Sequence, residues 1–508
     1  RVAREAAAEG MVLLENCEHI LPLQPGSKVA LYGSGAVKTI KGGSGSGDVN
    51  ERETISIWAG MKNAGYEIVN EDWLSEYKCL YEIEKKAWRD RILEITGNRE
   101  HAAFFRTFAS HPFQIPAGSV PDVETVKKYE CDIAFYIISR TAGESADRKC
   151  EKGDYYLSDE ELQVLDGVCK YYDNVVLVLN SGGIIDLGFK DCYSSIKAVI
   201  QMGQCGMESG NAFADVVSGK VTFGGHLTDT WAFRYEDYPN ATTFSYMDGN
   251  VHKEYYKEGI YVGYRWYETA DAEGYWNNIS NEYGNGYDGV VQYPFGYGMS
   301  YTTFAQKITT AEEKDGVVNF EVEVTNTGDT YAGKDVIQLY CETPYTPGGT
   351  EKSKVVLCAF EKTALLQPGE TGTYSLSVAL EDIASYDETA ADGNGAYVLD
   401  AGDYAFYLSE NAHSWSAIDT QDAEKYFAYA LDSQIVYDES NKRSSDEIVA
   451  SNQFLDAEND IPKLSRANGF ANAEETIFSE IEDIALEKTD TMYDLLINKS
   501  SEAGEYQG

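Results

Sequence analysis

The sequence predicts an α/β layered domain, a mostly parallel sheet with helices on both faces, followed by an all-β sandwich. Three observations predict it. From residue 1 to about 230, short β-branched runs alternate with helical patterns; from about residue 300 the hydrophobic period changes to two; and the stretch between is rich in Tyr, Trp and Gly. At roughly 100–200 residues per domain, 508 residues hold two to four domains.

In the first part, candidate strands are Lys28–Tyr32, Tyr66–Val69, Asp132–Ser139, Val175–Asn180 and Ile196–Gln201. They are apolar on both faces, as strands of a parallel sheet covered by helices must be. Helical patterns cover Glu5–Leu14, Ile55–Asn63, Asp159–Tyr171 and Glu208–Val217. The third opens on Ser158 with Glu161 three residues later, a capping box. Residues 74–120 break the alternation with extra helix and a Pro/Phe-rich loop, an insertion at one end of the sheet. This α/β domain spans 1–234, and 235–300 is an irregular connector.

In the second part, Val317–Thr325, Asp335–Tyr340, Lys354–Phe360, Thr373–Val378 and Asp403–Leu408 alternate apolar and polar residues. Turns such as Asn326-Thr327-Gly328-Asp329 and Gln367-Pro368-Gly369-Glu370 separate them. Such runs over 301–412 predict an antiparallel β-sandwich of the immunoglobulin or fibronectin type III kind. Residues 413–508 are acidic and poor in apolar groups. They read as a linker or tail, with one amphipathic helix over Glu475–Leu486.

The balance of 41 Lys+Arg against 84 Asp+Glu gives a formal net charge of −43. Phosphate-rich partners would repel such a surface, which excludes nucleic acid and anionic membranes. The 43% apolar and 25% charged fractions are those of a folded globular chain. No run approaches the ~20 apolar residues that span a bilayer. The nine cysteines form no Cys-x-x-Cys pair, so neither a zinc site nor a disulfide framework is expected, and a reducing, cytoplasmic compartment fits best. The chain starts at Arg1 without Met, a start compatible with a leader removed before it.

Two loops could carry chemistry. The first follows the Lys28–Tyr32 strand: Gly33-Ser34-Gly35, then Lys41-Gly42-Gly43-Ser44-Gly45-Ser46-Gly47-Asp48. A dinucleotide fingerprint fails because Lys38 stands at the third Gly position, and a Walker loop fails for want of Gly-Lys-Ser/Thr. What remains is a backbone-exposing loop that meets a polar ligand, or a plain surface loop. The second is Arg140-Thr141-Ala142-Gly143-Glu144-Ser145-Ala146-Asp147-Arg148-Lys149, directly after the strand ending at Ser139. Glu144 there suits a general acid/base; Asp147 would raise its pKa and the arginines would lower it. On composition alone the stretch reads more often as a solvated charge cluster. The six histidines have no spacing for a metal or a Ser–His pair and read as surface or connector residues. The aromatics Tyr255, Tyr256, Tyr261, Tyr264, Trp266 and Tyr267 could stack on sugars, but such density is more often packing between domains.

Taken together, the chain resembles the carboxyl-terminal half of glycoside hydrolase family 3, the β-glucosidases and their relatives. The resemblance is carried, in order, by Arg4–Asn16 with Leu21-Pro22-Leu23, Thr39–Val49, Ser139-Arg140-Thr141-Ala142-Gly143-Glu144 with Asp147-Arg148, Lys257–Arg265, Tyr293–Thr302 and Val324–Gly328. It runs from residue 1 to about 410. It implies an α/β sandwich domain followed by a fibronectin type III-like domain, in agreement with the periodicities. It also implies Glu144 as the acid/base, Ser46 as a residue that reaches the sugar, and Arg140, Asp147 and Arg148 as supports of the loop. No cofactor or metal is implied. The substrate implied is a β-linked oligosaccharide or glycoside, cut at its non-reducing end.

Enzymes of this family are retaining and use an aspartate nucleophile on a (β/α)₈ barrel. The nucleophile's usual Ser-Asp-Trp stretch is absent from this sequence, and two domains already occupy it. The expectation is therefore a chain that supplies the acid/base, with its barrel in cis or in trans. Asn452-Gln453-Phe454, Asp456-Ala457-Glu458 and Leu464-Ser465-Arg466 look like the linker of family members whose barrel follows the sandwich. The alternative is a non-catalytic carbohydrate-binding or scaffold protein built from the same domains. Trp88, Phe104, Phe105, Phe108 and Phe113 in the insertion are many large apolar groups for a solvated loop. A barrel in cis, a barrel in trans or self-association would each cover them.

Overall fold

The computed structural model describes residues 1–44, 49–97, 107, 111–141, 148–241, 256–453 and 464–477. Its first domain is a six-stranded sheet of β1 (Val12–Asn16), β2 (Lys28–Tyr32), β3 (Glu67–Ile68), β4 (Ile133–Ser139), β5 (Asn174–Asn180) and β6 (Ile196–Gln201). The strand order is β1-β6-β5-β4-β2-β3. Neighbours run parallel except β1, which pairs antiparallel with β6, Val12 opposite Gln201. Helices α1 (Val2–Gly10), α2 (Ser34–Val37), α3 (Ile57–Asn63), α4 (Glu71–Thr96), α5 (Val123–Tyr129), α6 (Asp159–Tyr171) and α7 (Ser209–Val217) surround it. Every residue of β4 is buried, so both faces of the central sheet are covered, which is why its strands read as unbroken apolar runs.

Two local expectations change. The pattern over Glu5–Leu14 suggests one helix, but the helix stops at Gly10 and Val12-Leu13-Leu14 become the buried part of β1. Pairing with β6 at the sheet edge outweighs the local pattern there. The stretch from 74 onward is mostly the single long helix α4. Its first half buries Trp73, Leu74, Tyr77 and Tyr81. Trp88 and Phe113 pack on each other with ring centroids 5.6 Å apart, and Phe113 meets Tyr81 edge-on at 5.3 Å. These aromatics are therefore held within their own domain, while Phe104, Phe105 and Phe108 lie outside the described residues.

At the end of the first domain β7 (Trp231–Ala232) pairs with β8 (Val291–Tyr293) of the connector, which also holds helix α8 (Tyr264–Ala272). Trp266, Tyr261 and Tyr267 are buried there, as the packing reading requires, whereas Tyr256 is 93% exposed and departs from it, and Tyr255 lies outside the described residues. Beyond it, β9 (Phe304–Lys314), β10 (Val317–Asn326), β11 (Val336–Glu342), β12 (Val356–Lys362), β13 (Thr371–Ala379), β14 (Ser385–Asp387), β15 (Ala396–Leu399), β16 (Gly402–Leu408), β17 (Tyr426–Leu431) and β18 (Ile435–Tyr437) form antiparallel sheets ordered β13-β10-β9, β12-β11-β16-β17 and β14-β15-β18. Val318, Phe320, Val322 and Val324 of β10 share one core with Ile337 and Leu339 of β11 and Phe406 and Leu408 of β16. The sheets continue past residue 412, because Tyr426–Leu431 pairs with β16 and Ile435–Tyr437 with β15. Farther on, Leu464, Phe470, Ala473 and Ile477 pack against Tyr261 and Trp266 of the connector. Most of the helix expected over Glu475–Leu486 lies outside the described residues.

A buried polar joint ties connector to sandwich. Glu268 of α8, 1% exposed, accepts from the Tyr287 hydroxyl at 2.6 Å and pairs with His413 Nδ1 at 2.9 Å. The His413 ring stacks on Tyr287 at 3.6 Å. Burial raises the Glu268 carboxyl above its ordinary range, against the lowering effect of His413. Burial works to lower His413, but Glu268, Asp271 and Asp288 outweigh it and hold the imidazole above its ordinary 6.5. Both groups thus hold protons more tightly when folded, so stability falls as pH rises through their folded pKa values. We predict that the thermal midpoint declines as pH is raised from 6.5 upward. In His413→Gln this alkaline decline is smaller and the midpoint at pH 6 is lower; differential scanning calorimetry across pH checks both.

Candidate functional site

Strand β2 is followed by β3 on one side, whereas β4, β5 and β6 build outward on the other. The chain therefore reverses direction between β2 and β4. Open α/β sheets bind ligands at such a point, beyond the carboxyl ends of the strands. The two loops singled out in the sequence leave these two neighbouring strands. Ser46, Glu144 and Asp147 lie outside the described residues, whereas Arg140 and Arg148 and the bases of both loops are described.

The first glycines after β2 have a packing role. Gly33 has φ +85°, and a Cβ there would stand 2.3 Å from the Ile137 carbonyl oxygen; one at Gly35 would stand 2.3 Å from Ile137 Cγ2. They let the turn and α2 press against β4. The second glycine run has its base pinched shut. Lys41 Nζ donates to the Val49 carbonyl at 2.6 Å and pairs with Glu51, across the residues that include Ser46. Lys41, then Thr54, hold the Glu51 carboxyl below its ordinary range.

Asn180, the last residue of β5, is completely buried. Its Nδ2 donates to the carbonyls of Ile40 at 2.9 Å and Gly203 at 2.7 Å. Its Oδ1 accepts from the Ile40 amide at 2.6 Å and from Ser139 Oγ at 2.9 Å. Its own carbonyl accepts from the Arg140 amide at 3.1 Å. One side chain thus holds the start of the glycine loop, the end of β4 and the turn after β6.

Arg140 is buried and faces inward. Nη1 and Nη2 meet the two Glu161 carboxylate oxygens at 2.7 Å each, and Nε donates to the Asp154 carbonyl at 2.7 Å. The Ser139 carbonyl at 2.9 Å and the Tyr156 carbonyl at 3.5 Å complete its acceptors. With each N–H of its planar fork engaged, Arg140 acts as a structural support. Glu161 has a second task, because its Oε2 also accepts from the Ser158 amide in the capping box of α6. Arg148 pairs with the Asp154 carboxylate and donates from Nη2 to the Asp154 carbonyl at 3.0 Å and from Nη1 to Ser181 Oγ at 3.1 Å. Nearby Asp186 is held above the ordinary carboxyl range by burial, reinforced by Glu236.

Sequence reasoning missed Asn180, Asp154 and Ser181, and saw Glu161 only as a cap. The one available signal for Asn180 was a carboxamide ending a wholly apolar strand. Arg140 and Arg148, expected as supports of the loop, are held by Glu161, Asp154 and Ser181.

The fold is an α/β sheet domain followed by antiparallel β-sheets, with the bases of the two candidate loops side by side at the carboxyl ends of β2 and β4. A family model described as the glycosyl hydrolase family 3 C-terminal domain matches residues 11–264, and a fibronectin type III-like domain model matches residues 335–412. The chain belongs to glycoside hydrolase family 3. It is 32% identical over 477 residues to beta-glucosidase A of Butyrivibrio fibrisolvens, a match covering 86% of this chain and 52% of that protein. It is 35% identical over 451 residues to a beta-glucosidase of Ruminococcus albus, covering 86% of this chain and 41% of that one. Among solved structures it resembles the beta-glucosidase of Paenibacillus barengoltzii (TM-score 0.69, 32% identity, 85% of this chain and 44% of that chain). It also resembles beta-glucosidase 3B of Thermotoga neapolitana, solved with α-D-glucose (TM-score 0.67, 32% identity, 86% and 54%). The chain spans about half the length of the curated relatives it matches.

The Asn180 network makes a stability prediction. Asn180→Ala leaves the half-buried Ile40 amide and the Ile40 and Gly203 carbonyls, and the buried Ser139 hydroxyl, without this partner, and a fully buried group so left costs about 1–3 kcal/mol. We expect a loss on the order of 3 kcal/mol in urea unfolding followed by tryptophan fluorescence, with faster hydrogen exchange at the Ile40 amide, which gives its hydrogen to Asn180 Oδ1.

Proposed function

We propose that the chain supplies the acid/base half of a retaining β-glucosidase acting on the non-reducing ends of β-linked glucosides. The observation that carries this reading is the adjacency of β2 and β4 at the reversal of the sheet. The glycine loop and the Ser139–Arg148 loop leave these neighbouring strands from bases tied together by Asn180. The names of the relatives supply the substrate class. In this reading Glu144 protonates the departing glycosidic oxygen and then takes a proton from the attacking water. Ser46 contacts the sugar, and Arg140, Asp147 and Arg148 hold the loop. The aspartate nucleophile comes from a (β/α)₈ barrel, in the same polypeptide or in a partner, with its carboxyl about 5–5.5 Å from that of Glu144 as retention requires.

The reading predicts a dependence on leaving group. In the full-length enzyme, Glu144→Gln leaves the first step on 2,4-dinitrophenyl β-glucoside nearly intact, because that phenolate departs unprotonated. It slows hydrolysis of cellobiose or an alkyl β-glucoside about 10²–10⁴-fold, the usual worth of general acid catalysis. Equal loss on both substrates removes Glu144 from this role. Turnover of 4-nitrophenyl β-glucoside by the isolated chain would contradict a nucleophile supplied from outside it. Micromolar sugar binding by a full-length protein that turns over neither substrate would favour a binding module instead.

A further inference from the structure

We propose that Asp186, Tyr283 and Phe233 form a binding subsite for a pyranose unit of a β-linked oligosaccharide, a ligand class that rests on the β-glucosidase reading above. Asp186 lies in the stretch that leaves the carboxyl end of β5, the strand next to β4. Its amide donates at 3.0 Å to the carbonyl of Tyr155, in the stretch between β4 and α6. Two polar side chains meet here across a glycine. A Cβ at Gly188 would stand 3.2 Å from Asp186 Oδ1, 3.8 Å from Asp186 Oδ2 and 3.5 Å from the Tyr283 hydroxyl. The glycine thus keeps open a space that a carboxylate and a phenol both border. Among the described residues the carboxylate accepts one hydrogen bond, from the Gly188 amide at 3.3 Å, and the Tyr283 hydroxyl makes none. An ionised carboxyl offers about four lone-pair sites, so most of the capacity of Asp186 is unspent.

An aromatic pair lies beside these groups. Phe233 and Tyr283 stack in parallel, with ring centroids 4.3 Å and planes 7° apart. Both are half-buried, and neither belongs to the core of the first domain or of the connector. Stacking occupies one face of each ring. The turns that present the three side chains are fixed. Asn281 Oδ1 accepts from the Tyr283 amide at 3.0 Å and the Gly284 amide at 3.2 Å, and its Nδ2 donates to the Gly289 carbonyl at 2.9 Å. The Phe233 amide donates to the Val290 carbonyl at 2.9 Å. Ile185 and Leu187, on either side of Asp186, are buried in the core of the first domain. A ligand that meets groups already in place loses little affinity to ordering them.

The chemistry of the three side chains selects the ligand. Asp186, with Glu236 and Glu282 close by, disfavours an anion. The nearby cation, Arg234, is already taken by Asp237 at 2.9 and 2.6 Å. A wholly apolar ligand would cover a carboxylate without bonding to it, which is costly. A neutral pyranose satisfies all three groups. Its hydroxyls donate to Asp186 and accept from the Tyr283 hydroxyl, and its C–H face lies on an aromatic ring.

The test is isothermal titration calorimetry of thio-linked cellotetraose, which resists hydrolysis, on the full-length protein and three variants. Asp186→Ala removes the acceptor, Tyr283→Ala removes the ring, and Gly188→Ala fills the space between them with a methyl group. Asp186→Ala and Gly188→Ala are each expected to raise Kd about tenfold, the worth of a hydrogen bond to a charged group. Tyr283→Ala is expected to raise it by about the same factor, through loss of the aromatic surface. Thermal midpoints confirm folding; if Asp186→Ala or Tyr283→Ala does not fold, Gly188→Ala carries the test. A Kd unchanged in the folded variants, or no measurable binding by the parent protein, overturns the subsite. If the variants weaken binding while Glu144→Gln shows no dependence on leaving group, the acid/base reading falls and the subsite stands. If Glu144→Gln shows that dependence and Kd does not move in the variants, the subsite alone falls.

Discussion

The loops of the carboxyl edge meet on the carboxamide of Asn180. Its two ends serve opposite needs: the amide group donates to carbonyls of Ile40 and Gly203, and the oxygen accepts from the Ile40 amide and the Ser139 hydroxyl. Asn180 itself has zero exposure and its partners are buried or half-buried, so losing the carboxamide costs more than an ordinary hydrogen bond returns. Neither Asp nor Leu can replace it, since the first lacks a donor and the second lacks both functions. The end of β4, the residue that precedes the glycine run and the turn after β6 are held together by this one side chain. A layer farther out, Arg140 bonds to Glu161 of α6 and to the Asp154 carbonyl, and Arg148 to Asp154.

The same logic holds the domains together. The α/β domain and sandwich touch through Lys362 Nζ, which donates to the Glu9 carbonyl at 2.9 Å, and through the Lys334–Glu9 pair. The connector joins the sandwich through Glu268 and His413, through the Lys354 amide on Thr269 Oγ1 at 2.8 Å, and through the Leu357 amide on the Tyr264 hydroxyl at 3.0 Å. Arg466, beyond the sandwich, reaches back to Glu273 at 2.7 Å and to the Lys352 carbonyl at 3.1 Å. Buried or half-buried polar contacts of this kind set orientation, while Tyr340, Val355 and Leu357 of the sandwich pack with Tyr264 and Phe295 of the connector.

Much of this architecture is legible in the sequence because it rests on local patterns. The Asp159–Tyr171 helix follows from its capping box and the spacing of Val164, Leu165 and Val168 on its buried face. The central strands follow from unbroken apolar runs and the sandwich from its period of two. What escapes depends on partners far along the chain. Val12–Asn16 is a strand because Gln201 and its neighbours offer an edge. Tyr426–Leu431 is a strand because β16 offers another, and its wholly apolar run of six is hidden in an otherwise acidic stretch. At the site, Arg140 and Arg148 were legible through the resemblance. Asp154 reads as an ordinary turn residue after Gly153 until the fold brings both arginines to it. Glu161 reads as a helix cap and is one, but its salt bridge appears only when β4 and α6 are packed.

The central claim is that the crevice between the ends of β2 and β4 delivers a proton to a glycosidic oxygen. A crystal structure of the full-length enzyme with a thio-linked cellobiose, which resists hydrolysis, tests it most directly. The account predicts the Glu144 carboxyl within hydrogen-bond reach of the interglycosidic sulfur, at about 3–3.5 Å, with Arg140 and Arg148 still gathered on Asp154. A different carboxylate at that sulfur, with Glu144 turned toward solvent, would contradict it.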